Sequence, residues 1–293
     1  MLEYEGSIWR PPSEARSLIL QATVGCSHNA CTFCVSYKRK KYKVRGAHGI
    51  SSDLNSLDQA FKNRVRRVFL ADGNALSMDT DDLREVLEVL HSELPQLERV
   101  GTYGYAKDVR DKSEDDLNAL RTAGLGIVYL GLETGDDELL RWSRKGVTSK
   151  ENVEACLKIR NANIPLSLTI ILGLGGLEQS KRHAKRTAEA LNKINPEYVG
   201  ALTLMIPPGT PLYEMTKQKE FEPMSPFEIL DEMKTLVTRL KLSECIFRTN
   251  HASNYLPIGG TLNRDRDRII QVIQSVLETG DEKRLRPSHM RGL

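Results

Sequence analysis

Three of the chain's five cysteines fall within nine residues, in the run Gly25-Cys26-Ser-His28-Asn-Ala-Cys31-Thr-Phe33-Cys34-Val-Ser-Tyr37. Thiolates this close in sequence converge on one centre at little loop-closure cost. Soft sulfur ligands select zinc, copper(I) or an iron–sulfur cluster. The C-x4-C-x2-C spacing also opens a plant-type ferredoxin motif, which needs a fourth cysteine. A structural zinc ion would need a fourth ligand too, and His28 is at hand. Cys156 and Cys245, taken singly, read as buried apolar residues. A centre held by three protein ligands keeps one coordination position open, as catalytic zinc sites do. A centre held by four can only pass electrons.

The elements that place this loop follow from hydrophobic patterning. The apolar run from Leu18 to Val24 predicts a buried strand leading into the cysteines. Further strands are expected at Val65–Ala71, Leu97–Thr102, Ile127–Leu132, Leu166–Leu172 and Tyr198–Leu204. Helices are expected between them, from Asp53 to Asn63, after Thr80, after Ser113 as far as Gly124, after Ser149, and from Ser180 to Asn192. Six strands alternating with helices imply parallel pairing, in a barrel or an open sheet. Beyond Leu204 the prolines at 207, 208 and 211 end the pattern. Two amphipathic helices, Pro226–Leu242 and Arg264–Glu278, flank a polar loop from Arg248 to Thr261. The expected organisation is a lead-in over 1–17, a barrel over 18–206 and a helical extension over 207–293.

Ligands of parallel α/β folds sit at the C-terminal ends of the strands. Those ends carry the cysteines, then Asp72-Gly73-Asn74, then Tyr103-Gly-Tyr105. Gly131-Leu-Glu133-Thr134-Gly135, Gly173-Leu-Gly175-Gly176 and Met205 to Pro208 follow. They combine soft ligands, two carboxylates and glycines that let a ligand approach the backbone. The run at 173–176 is no dinucleotide fingerprint, because Glu178 stands where the third glycine belongs.

The cysteine loop, Asp72-Gly73-Asn74 and Gly-Leu-Glu-Thr-Gly at 131–135 together resemble the radical S-adenosylmethionine (SAM) superfamily, from Leu18 to Leu204. The nearest resemblance is to the branch containing the elongator catalytic subunit, the methylthiotransferases and the oxygen-independent coproporphyrinogen oxidases. The resemblance implies an α/β fold, a partial (β/α)6 TIM-like barrel of parallel strands, here with a C-terminal helical extension. It implies a [4Fe–4S] cluster on Cys26, Cys31 and Cys34, with SAM chelating the open iron. One electron from the cluster would cleave SAM to a 5′-deoxyadenosyl radical, which abstracts hydrogen from a substrate. Phe33 would stand beside the adenine, and Asp72, Gly73 and Asn74 would hold the methionine amino group. Glu133 would meet the ribose or amino end with Thr134 beside it, and Gly173 and Gly175 would line the adenine side. The family commonly has three residues between the first two cysteines, and this chain has four; the ligand count is unchanged. Oxygen sensitivity follows from an exposed iron.

Lys38 to Arg45 holds six basic residues in eight positions. It reads either as a solvated loop or as a docking surface for an acidic flavodoxin- or ferredoxin-type electron donor. The loop residues Arg248, Asn250, His251 and Asn254, with Tyr103 and Tyr105, are candidates to face substrate. The loop's alternative role is to pack the C-terminal helices. A net charge of +3 is slight for a nucleic-acid partner, and no separate RNA-binding domain is evident. A small-molecule substrate is therefore favoured, with RNA modification and a non-enzymatic iron–sulfur or zinc protein as alternatives. The absence of a disulfide pattern, of an apolar leader and of a 20-residue apolar span points to the cytoplasm and away from a membrane.

Overall fold

The computed structural model describes residue 2 and residues 4–292, so Met1 and Glu3 of the lead-in and Leu293 of the extension lie outside the described residues. The chain forms two compact units. One comprises residues through 29, 36–130 and 154–166; the other comprises 30–35, 131–153 and 167–293.

The first unit holds six strands among the described residues, and four of them pair in parallel. They are β1 (Leu18–Gln21), the short β2 (Thr23–Val24) and β3 (Lys43–Val44), β4 (Arg67–Ala71), β5 (Arg99–Gly104) and β6 (Leu125–Glu133). The last three residues of β6 belong to the second unit. β1 pairs in parallel with β4, β4 with β5 and β5 with β6, while β2 and β3 form an antiparallel clip. The helices are α1 (Gly46–Asn55), α2 (Gln59–Lys62), α3 (Thr80–Glu93), α4 (Ala106–Arg110) and α5 (Glu114–Thr122). The single helix expected over Asp53–Asn63 is two. Asp53 sits inside α1, where Arg45 grips its carboxylate at 2.7 and 2.9 Å. Asp58 then starts α2 by accepting the Phe61 N–H at 2.8 Å. On α3 the cap is Asp79, not Thr80. Leu83, Val86, Leu87 and Leu90 of α3 are fully buried, and each contributes about 2 kcal/mol by leaving water.

A buried carboxylate anchors the end of the lead-in. Glu14 is fully buried and accepts from the Arg99 guanidinium and the Tyr129 hydroxyl, each at 2.5 Å. Burying a carboxylate is tolerable only with such charge-assisted partners.

The second unit holds α6 (Asp137–Trp142), the start of α7 (Ser149–Asn161), β7 (Leu166–Leu172), α8 (Gly176–Ile194), β8 (Tyr198–Thr203), α9 (Pro211–Lys217) and α10 (Pro226–Arg239). Then come β9 (Cys245–Arg248), β10 (Gly259–Leu262) and α11 (Arg266–Thr279). β7, β8 and β9 pair in parallel, and β10 returns antiparallel to β9. The C-terminal extension thus carries two strands besides the expected helices, and they take up both ends of the predicted 248–261 loop. Cys-Ile-Phe-Arg is short, and Gly259-Gly260 has no strand propensity; pairing of β9 with β8 and of β10 with β9 makes the strands. α10 packs on α8 and α11 through Ile229, Met233 and Leu236, all buried. No helix among the described residues is long and apolar enough to cross a membrane.

Candidate functional site

In the first unit the tip of β4 lies directly on the start of the cysteine loop. A Cβ on Gly73 would stand 1.8 Å from the Gly25 carbonyl oxygen, and Gly73 has φ +52°. Only glycine allows this approach, which fixes the backbone next to Cys26. Asn74 adds a two-way bond. It accepts the Ser27 N–H at 3.0 Å and donates to the Ser27 hydroxyl at 2.7 Å. Asn74 also donates to Asp108 at 2.6 Å, and the Tyr105 N–H donates to the same carboxylate oxygen at 2.9 Å. His28 stacks on Tyr105 with ring centroids 5.0 Å apart. The ends of β4 and β5 therefore grip the residues that follow Cys26.

Asp72 is turned inward. It is fully buried, ion-paired with Lys40, and accepts from Gln21 at 3.1 Å. The carboxylate anchors the basic run, while the backbone of Gly73 and the amide of Asn74 shape the tip. Tyr103 packs edge-on against Phe69 at 4.9 Å, and burial pushes its phenol far above the ordinary range. Within the basic run, Lys40, Lys43 and Arg45 are paired with Asp72, Glu5 and Asp53, and Lys38 donates to the Asn29 carbonyl. Arg39 and Lys41 are the exposed remainder.

Asp108 gave no short-range signal in the sequence, yet it joins the two strand tips. Burial pushes its carboxyl up to about 6, against the lowering effect of the Asn74 and Tyr105 hydrogen bonds. The folded chain then holds this proton more tightly than the unfolded chain does. The stabilisation is complete below the ordinary carboxylate range and is lost as pH rises through 6. An Asp108→Asn variant keeps an oxygen for both donors and lacks the titration. Between pH 4 and pH 7 its stability should gain on wild type by on the order of 2–3 kcal/mol, read from urea midpoints at each pH. A constant gap would show that Asp108 titrates normally.

In the second unit the rest of the cysteine loop is pinned from both sides. The Thr32 N–H donates to the Ser143 carbonyl at 2.9 Å, and the Thr32 carbonyl accepts the Leu212 N–H at 3.1 Å. Cys31, Phe33 and Cys34 around it are half-buried. At the end of β6, Glu133 adopts φ +60°. Its carboxylate folds back over Gly131, where a Cβ would stand 2.1 Å from it, and pairs with Lys145 at 2.7 Å. Thr134 is fully buried, with its hydroxyl 2.8 Å from His183 Nδ1. His183 Nε2 lies 3.1 Å from the Ile171 carbonyl, which can only accept, so Nε2 donates to it. Thr134 thus braces the turn from inside. The Gly173 N–H donates to Glu232 at 2.7 Å, and Gly175 is the N-cap of α8.

The loop after β9 lies along the C-terminal end of β8. Asn254 is buried and bonds to Ala201 and Thr203, each at 2.9 Å. Arg286 donates to the His251, Ala252 and Asn254 carbonyls. Burial and, secondarily, the Arg286 charge hold the His251 imidazole below its ordinary value. Arg248 and Asn250 are exposed. The loop's side chains mostly secure the loop itself.

Among the described residues, no group of three or more His, Cys, Asp or Glu side chains is gathered closely enough to hold a single metal ion. Three half-buried cysteines on a pinned loop are a soft donor set that fits an iron–sulfur cluster.

The radical SAM superfamily model matches residues 20–191. The chain belongs to the radical SAM superfamily. Members of this superfamily use a [4Fe–4S] cluster and SAM. It is 21% identical over 202 residues to the heme chaperone HemW of Bacillus subtilis, a match covering 66% of this chain and 52% of that protein. A tRNA-2-methylthio-N(6)-dimethylallyladenosine synthase of Dehalococcoides mccartyi is 29% identical over 172 residues, covering 57% of this chain and 39% of its own length. The chain therefore spans about half, or less, of these relatives. Among solved structures, methylornithine synthase superposes with a TM-score of 0.54 at 18% identity, over 77% of this chain and 63% of that one. That likeness shows the fold, the α/β TIM-like barrel of radical SAM enzymes, as the sequence predicts.

Proposed function

We propose that this radical SAM enzyme cleaves SAM reductively and directs the resulting radical at a small-molecule substrate. Cys26, Cys31 and Cys34 would hold the [4Fe–4S] cluster, which would supply the one electron that reductive cleavage of SAM requires. Their loop is fixed by Asn74 and Gly73 in the first unit and by the Thr32 backbone in the second. The observation that carries this reading is the set of three half-buried cysteines on a loop so pinned, within the matched family region. Phe33, Gly73, Asn74, Glu133, Gly173 and Gly175 are the contacts for SAM. Asp72 and Thr134 support these turns from behind, through Lys40 and His183.

Charge supports a small substrate over RNA. Three of the six cations in the 38–45 run are paired with carboxylates. Arg39 and Lys41 suffice for a brief encounter with an acidic electron-donor protein, which needs steering more than affinity. Too few cations of the 38–45 run are left exposed and unpaired to track a tRNA backbone. A cytoplasmic setting, where thiols stay reduced, fits this chemistry.

The test is direct. Anaerobically reconstituted protein, given dithionite and SAM, should release 5′-deoxyadenosine and methionine in equal amounts, read by chromatography. A protein that takes up iron and sulfide but releases neither would be an electron carrier, and the proposal would fail.

A further inference from the structure

The first unit has a cavity of about 830 Å3 at the N-terminal ends of β1 and β4, away from the ends that carry Cys26 and Asn74. Five arginines line it: Arg10, Arg16, Arg64, Arg66 and Arg67. The single lining carboxylate is Glu98, ion-paired with Arg66. The lining thus carries a net charge of +4, more than the +3 of the whole chain. Across the sequence 42 basic residues face 39 acidic ones, so this groove concentrates an excess that the rest of the surface lacks. Arg10, Arg16, Arg64 and Arg67 have no ion-pair partner among the described residues. Like charges crowded in this way repel one another, and an anionic ligand would relieve that cost.

Two rings share the lining. Tyr4 and Phe61 are 40% and 38% exposed, so both rings are open to a ligand. Both are held in place. The Tyr4 hydroxyl donates to the Ile19 carbonyl at 2.8 Å. Phe61 and Arg64 share one turn, closed by the Arg64 N–H on the Phe61 carbonyl at 2.9 Å. On the other side, buried Glu14 anchors the segment that carries Arg10 and Arg16.

Guanidinium forks match phosphate oxygens two at a time. Aromatic faces stack on bases, whatever the base. The volume lies in the ordinary range for small-ligand sites. We propose that this groove binds a nucleotide, with the arginines on its phosphates and Phe61 and Tyr4 against its base. An acidic electron-donor protein fits less well, because its electron would have to reach the cysteine loop at the opposite strand ends.

Isothermal titration of the cluster-loaded chain with adenosine triphosphate, inorganic tripolyphosphate and an adenine ribo-octamer tests this. Adenosine triphosphate should bind with a sub-millimolar Kd and raise the melting temperature. Arg16→Glu with Arg64→Glu should weaken both phosphate ligands at least tenfold, with the circular dichroism unchanged. Phe61→Ala should weaken adenosine triphosphate roughly fivefold or more and leave tripolyphosphate as it was. Equal binding of the two phosphates with no effect of Phe61→Ala would overturn the proposal. So would an octamer that binds tenfold tighter than the nucleotide, which would make the groove a nucleic-acid track. SAM cleavage should be unaffected in every variant, so failure here is separable from failure of the proposed reaction.

Discussion

Changing Cys26, Cys31 or Cys34 to alanine should each abolish the iron–sulfur absorbance and reduce 5′-deoxyadenosine release to background, while Cys156→Ala leaves both intact. The contrast rests on protonation. A metal takes the thiolate, not the thiol. Cys156 is fully buried within α7, and burial pushes its thiol far above the ordinary range; it stays protonated and apolar. Cys245 is likewise fully buried, on β9. The three loop cysteines are half-buried, where a ligand can reach them. The loss from any one of the three should be complete. A cluster with two protein ligands would have a second open iron, exposed to solvent and oxygen. Iron quantification on anaerobically purified variants decides the matter. A fall in iron for Cys156→Ala, or full iron in Cys31→Ala, would show the ligand set to be wrong.

The cysteine loop, the parallel strands and the glycine-bearing tips were legible in the sequence because each is written in local code. Three soft ligands in nine residues, β-branched runs such as Leu166–Leu172, and Gly-Leu-Glu-Thr-Gly need no distant partner to be recognised. What the sequence hid depends on partners far along the chain. Asp72 reads as a SAM contact at a strand end, and the fold turns its carboxylate inward onto Lys40, thirty-two positions away. That one pairing also takes a cation out of a basic run that reads as uniformly solvated. Thr134 reads as a ligand contact, and the fold commits its hydroxyl to His183, forty-nine positions on. Strand β9 is only four residues long and β10 opens on two glycines; they form because β8 offers an edge to β9, and β9 to β10. The arginine groove assembles Arg10 and Arg16 from the lead-in with the turn at 61–67; neither segment alone stands out.

The Glu133–Lys145 pair gives the other large effect. Both side chains are about nine-tenths buried, at 10% and 9% exposure. Removing one partner of a buried pair leaves the other charge desolvated and unanswered, at a cost of about 3–5 kcal/mol. Lys145→Ala should therefore lower the melting temperature by roughly 10 °C, taking about 2–4 °C per kcal/mol for a domain of this size. The double variant Glu133→Gln with Lys145→Met removes both charges at similar volume and should recover most of that loss. The same variant separates structure from chemistry. If the Glu133 carboxylate also meets SAM, the double variant is stable yet binds SAM more weakly, by tenfold or more in equilibrium titration. If the pair only props the turn after β6, stability and SAM affinity recover together. A Lys145→Ala protein melting within about 2 °C of wild type would mean that water reaches the pair, and the carboxylate would then need no partner to sit at the end of β6.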